Sequence, residues 1–460
     1  MEGGEFMECN KKSQLFNFYG KLSFKEILPL GLQHVVAMIV GCVTPAIIVA
    51  STAGLDTTDK ILLVQSSLVF SGIATLIQIF SIGKKIGARL PVIMGVSFAY
   101  VPTLTAIAGE FNMATIFGAQ ICGGVVAIIF GVFSKKLIKF FPPIVTGTVI
   151  FSIGLSLYST AIKYMAGGAG NEGFGSPLNW IVALITLAVV VFLNFFTNGT
   201  LKLASILCGI IVGYIISLFL GMVSFADVGT SNWFQMPKLM HFGLSFNATA
   251  IISMIIMHIV NSVQAIGDLS ATTNGAMNRE ATDTEISGGI VGNGLSSILG
   301  SIFGCMPTAT FSQNVGIVTM NKVINRGVFI FASIVIILAG LIPKFSSILI
   351  SIPQCVLGGA TITVFSTITM TGIKMVSAAK LTNRNTTIVG LSIALGTGIV
   401  QVEGSLGLFP AWVISIFGKS SIVVTTLVAI ILNLILPKGE NSKVEIDKKN
   451  KDDIEVINKA

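Results

Sequence analysis

The stretch Cys305–Arg326, CMPTATFSQNVGIVTMNKVINR, lies in apolar surroundings yet sets Gln313 beside Asn314. An unpaired amide in hydrocarbon is costly, so two adjacent carboxamides there must pair within the protein or hold a polar ligand. Just before them, Pro307 interrupts any continuous helix. Just after, Gly316 is expected to let backbone approach closely. Irregular backbone at membrane depth survives only against protein or beside a polar cavity.

The surroundings are those of a membrane protein. Of 460 residues, 53% are hydrophobic and 10% charged, with a mean hydropathy of +0.89. A soluble domain carries about 25% charged residues. Long apolar runs recur from Ile27 to Leu436, the pattern of a polytopic helical protein rather than the weak alternation of a β-barrel. The N-terminus, MEGGEFMECNKKSQLFNFYG, lacks the basic start and short apolar core of a signal peptide. Cys9, Cys42, Cys122, Cys208, Cys305 and Cys355 are scattered without a CxxC or Cys/His cluster, which points to neither a disulfide framework nor a metal site. The net charge of +8 has no soluble domain in which to cluster. It reads as loop charge facing one side of the bilayer, not as a nucleic-acid surface.

About fourteen apolar spans are expected at a length of roughly 20 residues each, some shorter and broken. Lys and Arg test the count. Thirteen fall in the even-numbered loops, among them Lys84, Lys85, Arg89, Lys135 and Arg279, against Lys60, Lys163, Lys238 and Lys344 in the odd ones. The positive-inside rule then puts both termini in the cytoplasm. The expected organisation is a cytoplasmic segment over 1–26, a first repeat over 27–222, a second over 223–436, and a charged cytoplasmic tail over 437–460. Pro142, Gly147, Ile162 and Lys163 recur as Pro353, Gly358, Ile373 and Lys374, each 211 residues later. The offset is seven spans, an odd number, so the copies run in opposite directions. That is the signature of an inverted-repeat transporter.

The third span, RLPVIMGVSFAYVP, and the tenth, MPTATFSQNVG, stand in the same relation. Both are short and punctuated by Pro and Gly, and paired interrupted segments point to a midplane binding site. The eighth span carries His258, Asn261, Gln264 and Asp268, spaced to share one helical face. A buried acid is expensive in a membrane, so Asp268 is a functional candidate. In the first span, Gln33 and His34 interrupt an apolar run, and His34 is suited either to relaying a proton or to a structural bond. The glycine-rich run from Gly288, GGIVGNGLSSILGSIFG, follows no strand and has no Lys after its glycines. Close helix packing explains it better than phosphate binding. No Ser/His/Asp or Cys/His arrangement suggests an enzyme.

With these residues assembled, the chain resembles the nucleobase–ascorbate transporter family over residues 23 to 435. The family signature of Gln, Glu or Pro followed by Asn-x-Gly reads here as Gln313-Asn314-Val315-Gly316, with Asn321 where relatives have Thr, then Lys322. The eighth-span pattern Glu-x-x-Gly-Asp is matched by Gln264-Ala265-Ile266-Gly267-Asp268, the first-span Gln-His by Gln33-His34, and the third-span Ser-Phe by Ser97-Phe98. The resemblance implies an all-α integral membrane protein of fourteen segments in a 7+7 inverted repeat, with core and gate domains. Two short strands lie in spans three and ten. It also implies a homodimer. A Gln opening the signature resembles the purine branch, so the implied substrate is xanthine or uric acid.

On that resemblance the expected substrate-binding residues are Gln264, Gln313, Phe98, Ser97 and Asn314, and the coupling or structural residues are Asp268, His34 and Gly316. No cofactor is expected, and the coupling ion would be H⁺ across the plasma membrane. Gln264 departs from the family Glu: an amide donates and accepts but takes up no proton near neutral pH, which either shifts coupling to Asp268 or His34 or weakens it. Asn321 is expected to bond backbone near the cytoplasmic end. A uracil or other nucleobase permease is the first alternative. An anion transporter of the same fold is the second, although no basic residue lies between Pro91 and Pro102 or between Pro307 and Met320.

Overall fold

The computed structural model describes residues 14–437 apart from Lys84 and Glu403. Residues 1–13 of the N-terminal segment, and the charged tail beyond Pro437, lie outside the described residues. The first half runs α1 (Phe24–Thr52), α2 (Thr57–Phe80), β1 (Met94–Val96), a 3-10 turn over Phe98–Tyr100, α3 (Val101–Glu110), α4 (Met113–Val132), α5 (Pro143–Met165), α6 (Pro177–Phe196) and α7 (Ser205–Phe219). The second runs α8 (Ala248–Met277), α9 (Asp283–Ile302), β2 (Thr308–Thr310), α10 (Ser312–Asn321), α11 (Arg326–Gly340), α12 (Pro343–Ile350), α13 (Gln354–Ala378), α14 (Asn383–Gln401), α15 (Ala411–Phe417) and α16 (Ser421–Ile435).

Helix starts follow local chemistry. Asp56, Asn112, Ser176 and Asn247 each cap a helix by accepting backbone N–H groups with the side chain. Thr282 and Glu285 form a capping box at the start of α9. The two repeat prolines, Pro142 and Pro353, occupy matching positions: each is the extended residue immediately before its helix. Inside α2, Ser67, Ser71 and Thr75 donate their hydroxyls to carbonyls four residues back, which satisfies polar groups within an apolar helix.

The helices fall into two packed groups. In one, α4 lies against α8 and α9, and α11 lies against α1 and α2. In the other, α5 and α13 pair along their lengths, flanked by α6, α7, α14 and α16. Small residues permit these contacts. A Cβ at Gly124 would meet the Gly294 carbonyl, and one at Gly294 would meet that of Gly124. The glycine-rich α9 is therefore a packing surface, as expected of small residues between membrane helices.

Spans three and ten are broken as expected, each by a three-residue strand. β1 and β2 pair antiparallel, Met94 opposite Thr310, Gly95 opposite Ala309 and Val96 opposite Thr308. All six residues are buried, and each strand leads into a short helix. The Thr75 hydroxyl accepts from Met94 N at 2.9 Å and so fixes β1 to α2. The Phe311 ring fills a slot that exists only because Gly41 and Gly95 lack side chains.

By length and composition, seven described helices are apolar enough to cross a membrane alone: α1, α2, α4, α5, α6, α8 and α13. Others are short, interrupted or less apolar, and three boundaries differ from expectation. The twelfth segment was read as starting near Ser347. Instead residues 343–350 form α12, bent 82° from α11, and α13 begins after Pro353. Pro343 and Pro353 mark the breaks: each stands at or just before a helix start, where its missing N–H costs nothing. The seventh segment, expected from Leu201, is interrupted at Ala204, between a short helix over Gly199–Leu203 and α7. The fourteenth, expected from Leu408, is split into α15 and α16.

Candidate substrate site

A cavity of about 500 Å³ opens between the two helix groups, where the broken spans meet α8. Its walls differ in chemistry. On one side are Ser97, Phe98, Gln264, Asp268, Ser312 and Gln313; on the other, Ile150 and Ile153 of α5 face Val364, Thr367, Ile368, Thr371 and Met375 of α13. The polar groups therefore sit on α8 and at the start of α10, while the facing pair of repeat helices is mostly apolar. Ligand pockets of this volume are commonly apolar with a few placed polar groups.

Among the described residues, Asp268 is the only charged one in the lining. Thr310 at the end of β2 donates its hydroxyl to Oδ2 at 2.5 Å. Ser312 at the start of α10 donates to the carboxylate oxygens at 2.9 and 3.1 Å. The break in span ten thus brings two hydroxyls, either side of Phe311, onto one carboxylate of α8. Among the described residues the side chains of Gln264 and Gln313 have no hydrogen-bond partner, and both border the cavity. Each offers one acceptor and two donor hydrogens.

Ser97 and Phe98 also line the cavity. The Ser97 hydroxyl accepts from Ala99 N at 3.2 Å and so starts the 3-10 turn. Phe98 meets Phe365 of α13 edge to face, ring centroids 5.2 Å apart, and this contact bridges the two helix groups at one end of the cavity. From Gln264 the lining continues through Gly267, Asp268 and Ala271 of α8, and from Val364 through Thr371 to Met375 of α13. The cavity therefore extends toward the ends of α8 and α13 that precede Arg279 and Lys380.

Three expected site residues stand elsewhere. Asn314 was expected to touch substrate, but it is turned into α1: its Nδ2 lies 2.9 Å from His34 Nδ1 and 3.2 Å from the His34 carbonyl. Successive residues of a helix point about 100° apart, so the adjacent amides of α10 reach different neighbours, Gln313 the cavity and Asn314 the first helix. His34 is buried against the Phe329 ring, with centroids 4.8 Å apart, and does not border the cavity. Because Nδ1 receives a donor, the hydrogen-bond network assigns His34 the tautomer protonated at Nε2. Gly316 is exposed, and a Cβ there would meet nothing within 4 Å, so the close backbone approach expected at Gly316 is not made. Asn321 likewise bonds a side chain rather than backbone: its Nδ2 lies 3.3 Å from Gln33 Oε1. Span one and α10 are thus joined twice, at His34–Asn314 and Gln33–Asn321.

The polar stripe of α8 divides. Gln264 and Asp268 reach the cavity, whereas His258 and Asn261 are buried beyond it. His258 Nδ1 bonds the Met254 carbonyl at 2.9 Å, and its ring stands 5.0 Å from that of Tyr100. Thr310, Ser312 and the α5–α13 wall were not singled out in the sequence. Hydroxyls flanking Phe311 were a usable signal for the first two, since only one face of a short strand can turn to α8. The apolar wall carried no signal beyond the repeat.

Residues 25–404 match the model of a permease family, Xan_ur_permease. The chain belongs to this family, the nucleobase–ascorbate transporters. Its similar relatives include a putative purine permease of Clostridium perfringens, 37% identical over 91% of this chain and 92% of the relative. A xanthine permease of Bacillus subtilis is 36% identical over 90% and 94%, and a uric acid permease of the same organism, PucK, is 33% identical over 92% and 98%. Among solved structures, the transmembrane domain of the cyanobacterial bicarbonate transporter BicA superposes with a TM-score of 0.57 at 18% identity, covering 91% of this chain and all of that one. The anion transporter SLC26A9 gives 0.61 at 12% identity, covering 90% and 66%. These likenesses carry the 7+7 inverted-repeat fold. The chain is a multi-pass membrane permease and not an enzyme.

Proposed function

We propose that this permease imports a purine base, xanthine or uric acid, in symport with a proton. The observation that carries the reading is the pair of unpartnered carboxamides, Gln264 and Gln313, bordering one cavity. An oxopurine edge alternates N–H donors and carbonyl acceptors, which two amides match. Its flat faces suit the Ile150, Ile153, Val364 and Ile368 wall. The similar relatives named as xanthine and uric acid permeases support the same class.

Asp268 carries the coupled proton in this reading. With Gln264 neutral, it is the one ionisable side chain in the lining, and Thr310 and Ser312 hold its carboxylate next to the substrate. His34 instead holds Asn314, and through it the start of α10. The absence of any Lys or Arg from the lining disfavours a small anion as cargo, despite the shared architecture with anion transporters. Loop charge supports cytoplasmic termini; on that orientation the cavity, which extends toward the ends of α8 and α13 that precede Arg279 and Lys380, opens inward, and the plasma membrane belongs to the same reading. The homodimer implied by the family resemblance belongs to the same reading.

Uptake of labelled xanthine into proteoliposomes, with and without an inward proton gradient, tests it. Unlabelled uric acid, xanthine, hypoxanthine and uracil serve as competitors. Xanthine or uric acid should compete best, and the gradient should drive accumulation. Competition by uracil alone would move the chain to the pyrimidine permeases.

A further inference from the structure

Residues 14–20 precede α1 and are docked on the rest of the protein. Asn325 Nδ2 lies 3.1, 3.2 and 2.8 Å from the carbonyls of Gln14, Asn17 and Gly20. Its Oδ1 accepts from Gly327 N at 2.9 Å and starts α11. Ile324 N donates to the Leu15 carbonyl at 3.2 Å and Arg326 N to that of Phe18 at 3.0 Å. Phe18 is buried in the main core, and the Arg326 guanidinium lies 4.9 Å over the Tyr19 ring.

The other side of this contact is the connector that leaves α10. That helix has ten residues. Gln313 borders the cavity in its first turn, and its last residue, Asn321, is tied to Gln33. Lys322 then turns the chain at φ 56°, and Val323 and Ile324 run buried into Asn325. A rigid helix this short transmits a shift at one end to the other. We propose that Asn325 is a positioning residue. By clamping residues 14–20 onto the α10–α11 connector, it fixes where α10 ends and so where Gln313 points into the substrate cavity. The inference rests on the purine reading of that cavity.

Two variants separate the clamp from ordinary stability. Asn325→Asp keeps the oxygen that caps α11 but replaces the Nδ2 donor shared among three carbonyls with a carboxylate oxygen that they repel. Phe18→Ala withdraws the anchor from the other side. In proteoliposome uptake of xanthine, each should raise KM roughly fivefold or more, with kcat per inserted molecule little changed. The double variant should be no worse than the poorer single one, because both remove one clamp. Hydrogen exchange of the ligand-free protein should quicken over residues 312–321 in each variant. Unchanged exchange there, or unchanged KM beside lowered thermal stability, would overturn the proposal. A wild-type protein that takes up no purine would remove the purine reading alone, and the exchange measurement would still decide the clamp.

Discussion

Ser312 reaches both carboxylate oxygens of Asp268, at 2.9 and 3.1 Å, and so ties the first residue of α10 to the middle of α8. With Thr310, at the end of β2, donating to Oδ2, the carboxylate is held by two hydroxyls of the broken span that also carries Gln313. Protonation of Asp268 would turn an acceptor into a donor and release one of these bonds, which links proton occupancy to the geometry of the cavity.

Asp268→Asn removes the titratable group while keeping the shape. Counterflow exchange of xanthine should persist, whereas accumulation driven by a proton gradient should fall by about tenfold or more. Gradient-driven accumulation at the wild-type level would show that the proton travels elsewhere.

Gln313→Ala and Gln264→Ala each take away an amide that has no other partner. A hydrogen bond lost to a polar ligand is worth about 0.5–1.5 kcal/mol, and more when a buried group is left unpaired. KM for xanthine should rise by roughly tenfold in each variant, with membrane expression intact. The check is initial-rate uptake normalised to transporter quantified by immunoblot.

Asn314→Ala acts differently, since Asn314 faces α1 and not the cavity. It leaves His34 without its donor in a buried setting, at a cost of about 1–3 kcal/mol. Purified protein should melt several degrees lower by fluorescence, and uptake should be lost. His34→Ala should produce the same fall, and the double variant little more. Independent, additive losses would mean that the two side chains do not act as a pair.

Gly147 and Gly358 are equivalent residues of the repeat and face opposite ends of one helix pair. A Cβ at Gly147 would meet Met375 and Val376, and one at Gly358 would meet Tyr164 and Met165. Gly358→Val should therefore cost about 1–3 kcal/mol or more through overpacking, visible as loss of the monodisperse peak in fluorescence size-exclusion chromatography. Gly109→Val, where a Cβ would meet nothing within 4 Å, should leave the peak intact.

Much of this was legible in the residues. Low charge and long apolar runs dictate a helical membrane protein, because only helices and closed barrels satisfy the backbone in lipid and a barrel would alternate instead. Pro307, Pro91 and Gly95 mark where spans three and ten break, since proline removes a donor and glycine removes a side chain. The 211-residue repeat already implied antiparallel halves. The polar stripe of α8 already placed Gln264 and Asp268 on one face.

What the linear order could not reveal is which way each side chain turns. Gln313 and Asn314 are neighbours in sequence, but the helix begun at Ser312 aims one into the cavity and the other at His34. Likewise His258 and Asn261 share a face with Gln264, yet packing buries them beyond the cavity, His258 between Tyr100 and Gly123 of α4. The partners of Asp268, the apolar wall of α5 and α13, and the docking of residues 14–20 on Asn325 join positions far apart along the chain. Such contacts exist only once the helices have packed. Local spacing determines an element and its faces, whereas the choice of neighbour for each face is made by the packing of the whole.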